Sequence, residues 1–164
     1  MPAASTATAA EALDPMLCFA VYSVERQFGQ IYRELLAPWK LSYTQYLALI
    51  ALSNDDELTV GRLGELLGLD SGTLSPLLKR LESRGLVARA RAARDERVVE
   101  ITLTDAGREL YGELADIPRC FGDRTGLSHH EYVQLISLAK ALSARMTTGQ
   151  KTTGQKTTDK EKEQ

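Results

Sequence analysis

Apolar residues recur along this chain at helical spacing, in blocks closed by residues that cap or break helices. The clearest block is Leu74, Leu77, Leu78 and Leu81, which fall at i, i+3, i+4 and i+7 and make one stripe. Ser71 or Thr73 offers a side-chain oxygen to cap this helix. Counted from Thr73, Pro76 falls in the first turn, where its missing N–H costs nothing. Gly85 stops the helix, because glycine takes the left-handed conformation cheaply. The opposite face carries Ser71, Thr73, Ser75, Lys79 and Arg80. Upstream, Leu17, Val21, Val24, Phe28, Ile31 and Leu35 are spaced 4, 3, 4, 3 and 4. That is a heptad-like seam on a helix opened by Asp14-Pro15 and ended before Pro38. Such a seam serves either a second copy of the helix or packing within its own subunit.

The remaining elements follow in order. A helix over Tyr43–Ser53 has Tyr46, Leu47, Ile50 and Ala51 as its apolar face, and the polar turn Asn54-Asp55-Asp56-Glu57 follows. Thr59 caps a short helix over Val60–Leu67, and Gly68 ends it. Two short helices joined by the tight turn Gly68-Leu69-Asp70 form a helix-turn-helix, whose second helix is the one that reads DNA. Leu86–Arg91 and Val98–Leu103 read as strands around the polar loop Ala92–Arg97, a hairpin placed as the wing of a winged helix. Thr104 caps a helix that runs to about Asp116 and breaks at Pro118, leaving Cys120 just past the break. Ser128 caps a last helix from Glu131 to about Met146. The first 13 residues and the tail from 147 to 164, with Thr-Thr-Gly-Gln-Lys twice, carry too few apolar side chains to order and are expected to be disordered.

Charge sharpens the picture. The chain of 164 residues has a net charge of −2, yet Lys79 to Arg97 holds seven bases against three acids. That leaves +4 there and −6 on the rest, a local basic patch that suits an anionic partner at one place. Arginines at a hairpin tip enter a narrow minor groove, where negative potential is concentrated. The bland alternative is a solvated hairpin with Asp95 or Glu96 pairing to a neighbouring arginine.

Two cysteines, Cys18 and Cys120, are too few for a disulfide framework or a structural zinc site, and the adjacent His129 and His130 point apart on a helix. No metal or cofactor is expected. No run approaches the roughly 18 apolar residues of a membrane span, and the N-terminus lacks the pattern of a secretory signal, so a cytoplasmic protein is expected. A lone cysteine on a helix is ordinarily a small core hydrophobe. Around Cys18 the setting differs: Tyr22 lies one turn along the same face, and Tyr32 shares that face from about 21 Å further along the axis. Tyr32 therefore meets a Cys18 only if a second copy of the helix crosses antiparallel. Hydroxyls donating to sulfur favour the reactive thiolate. The packing alternative is that the tyrosines are amphipathic core residues.

Leu17-Cys18-Phe19-Ala20-Val21-Tyr22, Leu41-Ser42-Tyr43-Thr44-Gln45-Tyr46-Leu47, the segment from Leu69-Asp70-Ser71-Gly72-Thr73 to Leu81-Glu82, and Asp95-Glu96-Arg97 resemble the organic-hydroperoxide-sensing branch of the MarR family of winged-helix repressors. The resemblance covers about Asp14 to Met146. It departs at Thr44, where the family usually has proline, and at Arg33-Glu34, which lacks the usual Lys-Pro. It implies a mainly α fold with a small β-hairpin wing: one MarR-type chain over 14–146, with the winged helix at about 43–103 and dimerisation helices at about 14–37 and 104–146. It implies a homodimer in which Cys18 is the peroxidatic cysteine, Tyr32 and Tyr43 reach it from the partner subunit, and Tyr22 is a third pocket tyrosine. It places Arg97 in the minor groove, steadied by Asp95 and beside Arg94. Cys120 lies where two-cysteine members carry a resolving cysteine that bonds to Cys18 of the other subunit. Capping of Cys18 by a small thiol stays open as the alternative.

The expected function is a redox-switched repressor, with double-stranded operator DNA as partner and an organic hydroperoxide as signal. Ser71, Thr73, Ser75, Lys79, Arg80, Arg94, Asp95 and Arg97 would make the DNA surface. A repressor released by a non-covalent phenolic ligand is the alternative. A thiol peroxidase is disfavoured, since an enzyme needs neither the helix-turn-helix nor the basic wing.

Overall fold

The computed structural model describes residues 12–55, 58–92 and 95–158. Residues 1–11, Asp56 and Glu57 of the polar turn, Ala93 and Arg94 of the wing loop, and the end of the tail lie outside the described residues. The elements are helices α1 (Leu17–Leu36), α2 (Tyr43–Asn54), α3 (Val60–Leu67), α4 (Ser71–Ser83), α5 (Asp105–Glu113), α6 (Ile117–Thr125) and α7 (His129–Thr158), a 3-10 turn at Ala37–Trp39, and strands β1 (Leu58–Thr59), β2 (Val87–Ala92) and β3 (Asp95–Leu103). The chain divides into two compact units, to Phe121 and from Gly122 onward.

The first unit is a winged helix. Its antiparallel sheet has the order β1-β3-β2, with Leu58 opposite Ile101 and Val87 opposite Leu103. The strand β1, only two residues long, is absent from the sequence reading because no periodicity shows over so short a stretch. The hairpin also closes sooner than expected: β2 reaches Ala92 and β3 starts at Asp95, with a register shift between Arg91 and Ala92. Leu36, Leu49, Leu52, Leu63, Leu74, Leu78, Leu81, Ile101 and Leu114 are fully buried, and with Leu58 of β1 and Val87 of β2 they form one core. α2 is the centre of this core. The expected face of Tyr46, Leu47, Ile50 and Ala51 is only partly right: Tyr46, Ala48, Leu49 and Leu52 are the buried residues. Neighbours pack around α2 on several sides, so no single stripe marks its inner face. The buried Gln45 is satisfied because it completes a capping box with Ser42.

Both helices of the helix-turn-helix end alike. Gly68 and Gly85 take φ of 64° and 70°, and the residue after each donates back five residues, Leu69 to Gly64 at 2.9 Å and Leu86 to Leu81 at 3.0 Å. The cap of α4 is Asp70, not Ser71 or Thr73: its carboxylate accepts from the Thr73 amide at 2.8 Å. The sequence offers several cap-competent residues in a row, and the first of them wins. Pro76 consequently lies in the second turn, at an exposed position, and leaves the Gly72 carbonyl without its usual helical donor.

Other boundaries also move. α1 begins at Leu17 with Met16 as its cap, Asp14 and Pro15 forming a turn before it. α5 ends at Glu113, and Pro118 is the second residue of α6 rather than a break, a position that needs no N–H. Cys120 is therefore within a helix. α7 continues through the repeated Thr-Thr-Gly-Gln-Lys segment to Thr158, well past the end expected near Met146; that stretch has glycines but no proline to stop it. It belongs to the second unit, whose exposed apolar residues include Tyr132, Val133, Ile136 and Leu138.

Candidate nucleic-acid interface and thiol site

α4 presents the two faces that its sequence separates. Leu74, Leu77, Leu78 and Leu81 are buried, while Ser71, Thr73, Ser75, Lys79 and Arg80 are exposed along one side. Asp70 holds the first turn. The Thr73 amide, and then the Thr73 hydroxyl at 3.4 Å, keep its carboxyl below the usual carboxylate range. Asp95 and Arg97 lie on β3, and Arg94 is outside the described residues.

Two of the arginines counted in the basic patch have internal partners instead. Arg89 of β2 donates to the Glu82 carboxylate of α4, its Nε at 2.9 Å, and so ties the wing to the helix. The hydrogen bond from Arg89 lowers the Glu82 pKa, and the carboxylate raises that of Arg89 in return. Arg84, the C-cap of α4, donates to the backbone carbonyls of Trp39 at 2.9 Å and Lys40 at 3.2 Å. Sequence reasoning missed both contacts, since charge counting does not see which cations are already engaged.

Cys18 and Tyr22 lie on the first half of α1 and Tyr32 on its second half. Cys18 is an exposed thiol, flanked by exposed Leu17, Val21, Tyr22 and Val24. Tyr22 keeps its ring near Phe19, centroids 6.5 Å apart. The second half of the seam instead packs within the subunit: Phe28 meets Phe121 edge-on at 4.9 Å, and Leu35 lies against the core. Tyr32 sits in an aromatic cluster, 4.3 Å from Tyr43, 4.6 Å from Phe121 and 6.1 Å from Tyr46. Burial, then the nearby Tyr111 and Tyr43, push the Tyr46 phenol upward. Cys120, half-buried, is the residue before Phe121. The structure thus joins Tyr32 and Tyr43, and leaves Cys18 and Tyr22 away from them. Beside Tyr43 opens a surface cavity of about 310 Å3 lined by Gly29, Arg33, Leu41, Ser42, Tyr43 and Thr44. Phe121 had no signal in the sequence beyond its apolar character, whereas Phe28 stood in the heptad-like seam.

No described helix is long and apolar enough to cross a membrane. A helix-turn-helix with a three-stranded wing and a polar, partly basic outer helix face defines a winged-helix regulator. The family described as "Transcriptional regulator SarA/Rot" matches residues 30–114. The chain is 43% identical over 136 residues to the organic hydroperoxide resistance transcriptional regulator of Bacillus subtilis (strain 168), spanning 83% of this chain and 90% of that one. It is 50% identical over 121 residues to the HTH-type transcriptional regulator TtmR of Methylorubrum extorquens (strain PA1), spanning 74% of this chain but 62% of that one, so the match spans less than two thirds of that relative's length. The structure of reduced AbfR bound to DNA is similar at a TM-score of 0.66 and 34% identity, covering 81% of this chain and 93% of that chain. The chain belongs to the MarR family of winged-helix transcriptional regulators, in the branch of the organic hydroperoxide resistance regulators. It is a transcriptional regulator.

Proposed function

We propose that this chain is a redox-sensing repressor of the cytoplasm that holds operator DNA as a reduced homodimer and releases it when an organic hydroperoxide oxidises Cys18. The observation that carries the reading is the separation within one subunit of the exposed Cys18 from the Tyr32–Tyr43 pair, which borders an open cavity. Along α1 Cys18 and Tyr32 lie about 21 Å apart, so these tyrosines meet a Cys18 only when a second copy brings it. The bare apolar residues of the first half of α1 supply the surface for that copy.

In this reading Ser71, Thr73 and Ser75 of α4 meet base edges in the major groove, and Lys79 and Arg80 meet phosphates. Arg97, with Asp95 and Arg94, enters the minor groove from the wing. The Cys18 thiolate attacks the peroxide, taking one oxygen as a sulfenic acid and releasing the alcohol. The Cys120 thiol of the other subunit then displaces that oxygen as water and forms a disulfide. Cys120 stands near the Tyr32 end of α1, and a disulfide needs Cα atoms within about 7 Å, which supports a bond between copies. Closing it moves the two reading helices off the spacing of successive grooves.

The cavity beside Tyr43, with Arg33 on its wall, favours one second reading, release by a non-covalent phenolic ligand. Cys18→Ser separates the two. The sensor reading expects the variant to bind DNA and ignore hydroperoxide. A variant that still responds to the cell's inducer supports the ligand.

A further inference from the structure

The C-terminal end of α4 is fixed more heavily than the end of an ordinary surface helix. The Thr104 hydroxyl donates to the Gly85 carbonyl at 2.6 Å, and the Thr104 amide to the Leu86 carbonyl at 3.2 Å. The third attachment is Arg84. Its two terminal nitrogens reach the carbonyls of Trp39 and Lys40, more than forty residues away in sequence. Those carbonyls belong to the strap that continues directly from α1, whose last residue, Leu36, is fully buried. Lys40 closes the strap with φ of 52°, the one positive φ outside glycine among the described residues. On its other side the strap is held by α5: the Trp39 indole N–H donates to the Glu113 carboxylate at 2.7 Å. One continuous set of contacts therefore runs from Glu113 of α5, through Trp39, to the last turn of α4.

An exposed arginine at the end of a DNA-reading helix is ordinarily counted as a phosphate contact. Here its planar fork is already directed at two carbonyls of the same chain, which suits a guanidinium better than an ammonium. The position gives it leverage. Ser71 lies about 20 Å from Arg84 along the helix, so a tilt of about 5° at the clamp moves the reading end by nearly 2 Å. That is enough to break hydrogen bonds to base edges, whose useful range is a few tenths of an ångström.

We propose that Arg84 is a positioning residue for operator recognition: it locks the recognition helix to the strap at the end of α1 and makes no phosphate contact. The proposal rests on the DNA-reading role of α4 and is independent of the thiol switch. The test measures binding of the reduced protein to a fluorescein-labelled duplex, recovered from a random library by wild-type binding, across a salt series. Arg84→Ala is expected to bind about tenfold more weakly, the scale of losing hydrogen bonds from a charged donor, with the wild-type slope of log affinity against log salt. Lys79→Ala, a phosphate contact in the proposed reading, should lose about one charge of slope. Arg84→Lys keeps the charge and loses the fork, so an affinity between those of wild type and Arg84→Ala is expected. Trp39 is the chain's one tryptophan, so its emission reports the strap, and it should shift in Arg84→Ala. A salt slope reduced by about one in Arg84→Ala, or full affinity in either folded Arg84 variant, overturns the proposal. Should Arg84→Ala fail to fold, Arg84→Lys carries the test alone. Wild-type protein that selects no duplex overturns the DNA-reading role itself, a different failure.

Discussion

The ring of Tyr32 stacks on that of Phe121 with centroids 4.6 Å apart and planes 16° from parallel, which seats α6, and Cys120 with it, on the second half of α1. Cys18 lies at the start of that helix. Cys120 is thus next to a ring packed on the second half of α1 while Cys18 opens that helix, and a bond between the two thiols is expected to join two chains. After one equivalent of cumene hydroperoxide, non-reducing electrophoresis should show a covalent dimer that Cys18→Ser and Cys120→Ser each abolish. A covalent dimer in Cys120→Ser, or a disulfide confined to one chain, contradicts this arrangement. Loss of the dimer band with retention of reversible DNA release points to capping by a small thiol.

Tyr43 contributes a ring to the cluster and also lines the cavity. Tyr43→Phe keeps the ring packing. If the hydroxyl stabilises the thiolate of a partner's Cys18, oxidation by hydroperoxide should slow by about tenfold, one hydrogen bond to a charged group, with reduced-state DNA affinity unchanged. Stopped-flow oxidation rates check it; an unchanged rate removes Tyr43 from the sensor.

The Glu82–Arg89 pair predicts a pH dependence. The Glu82 carboxyl is held below its unfolded value by Arg89, so its contribution is fully present above the unfolded carboxylate range, about pH 4.3, and is lost as pH falls through the lower folded value. Thermal melts of wild type and Glu82→Gln should therefore differ near pH 7, with the wild type higher, and converge as the solution is acidified toward the folded value. The pair is partly exposed, so the difference should be small and shrink in high salt.

A Cβ at Gly107 would collide with the backbone carbonyl of Leu86, three residues past the end of α4, and touch the Leu103 side chain. Gly107→Ala is expected to destabilise the fold by about 1–3 kcal/mol, the scale of overpacking, and to weaken DNA binding by displacing the end of the reading helix. Leu78→Ala, in the fully buried stripe, should cost about 2–5 kcal/mol. Chemical denaturation measures both; a Gly107→Ala protein of wild-type stability would show that α5 can back away without cost.

Much of the fold was legible because each signal acts locally. The leucine stripe of α4, the glycines at 68 and 85, and the caps Thr59 and Thr104 each depend on a handful of neighbouring residues, and each stands where expected. The misjudged boundaries have local causes too. Asp70 precedes two other good caps, and Pro118 reads equally as a stop or as a helix start. α2 shows no single apolar face because it is covered on several sides. What the sequence hides is tertiary. Nothing near Tyr32 announces Phe121, and nothing near Arg84 announces Trp39. The seam of α1 reads as one stripe, yet its second half packs within the subunit while its first half, with Cys18, stays bare.

The most direct test of the central claim is fluorescence anisotropy of the reduced wild-type protein on the DNA upstream of its own coding sequence. Organic hydroperoxide is added stoichiometrically, then excess dithiothreitol. A reversible thiol switch predicts tight binding at low salt, loss on oxidation and recovery on reduction. Binding that persists through oxidation of Cys18, verified by mass spectrometry, would contradict it.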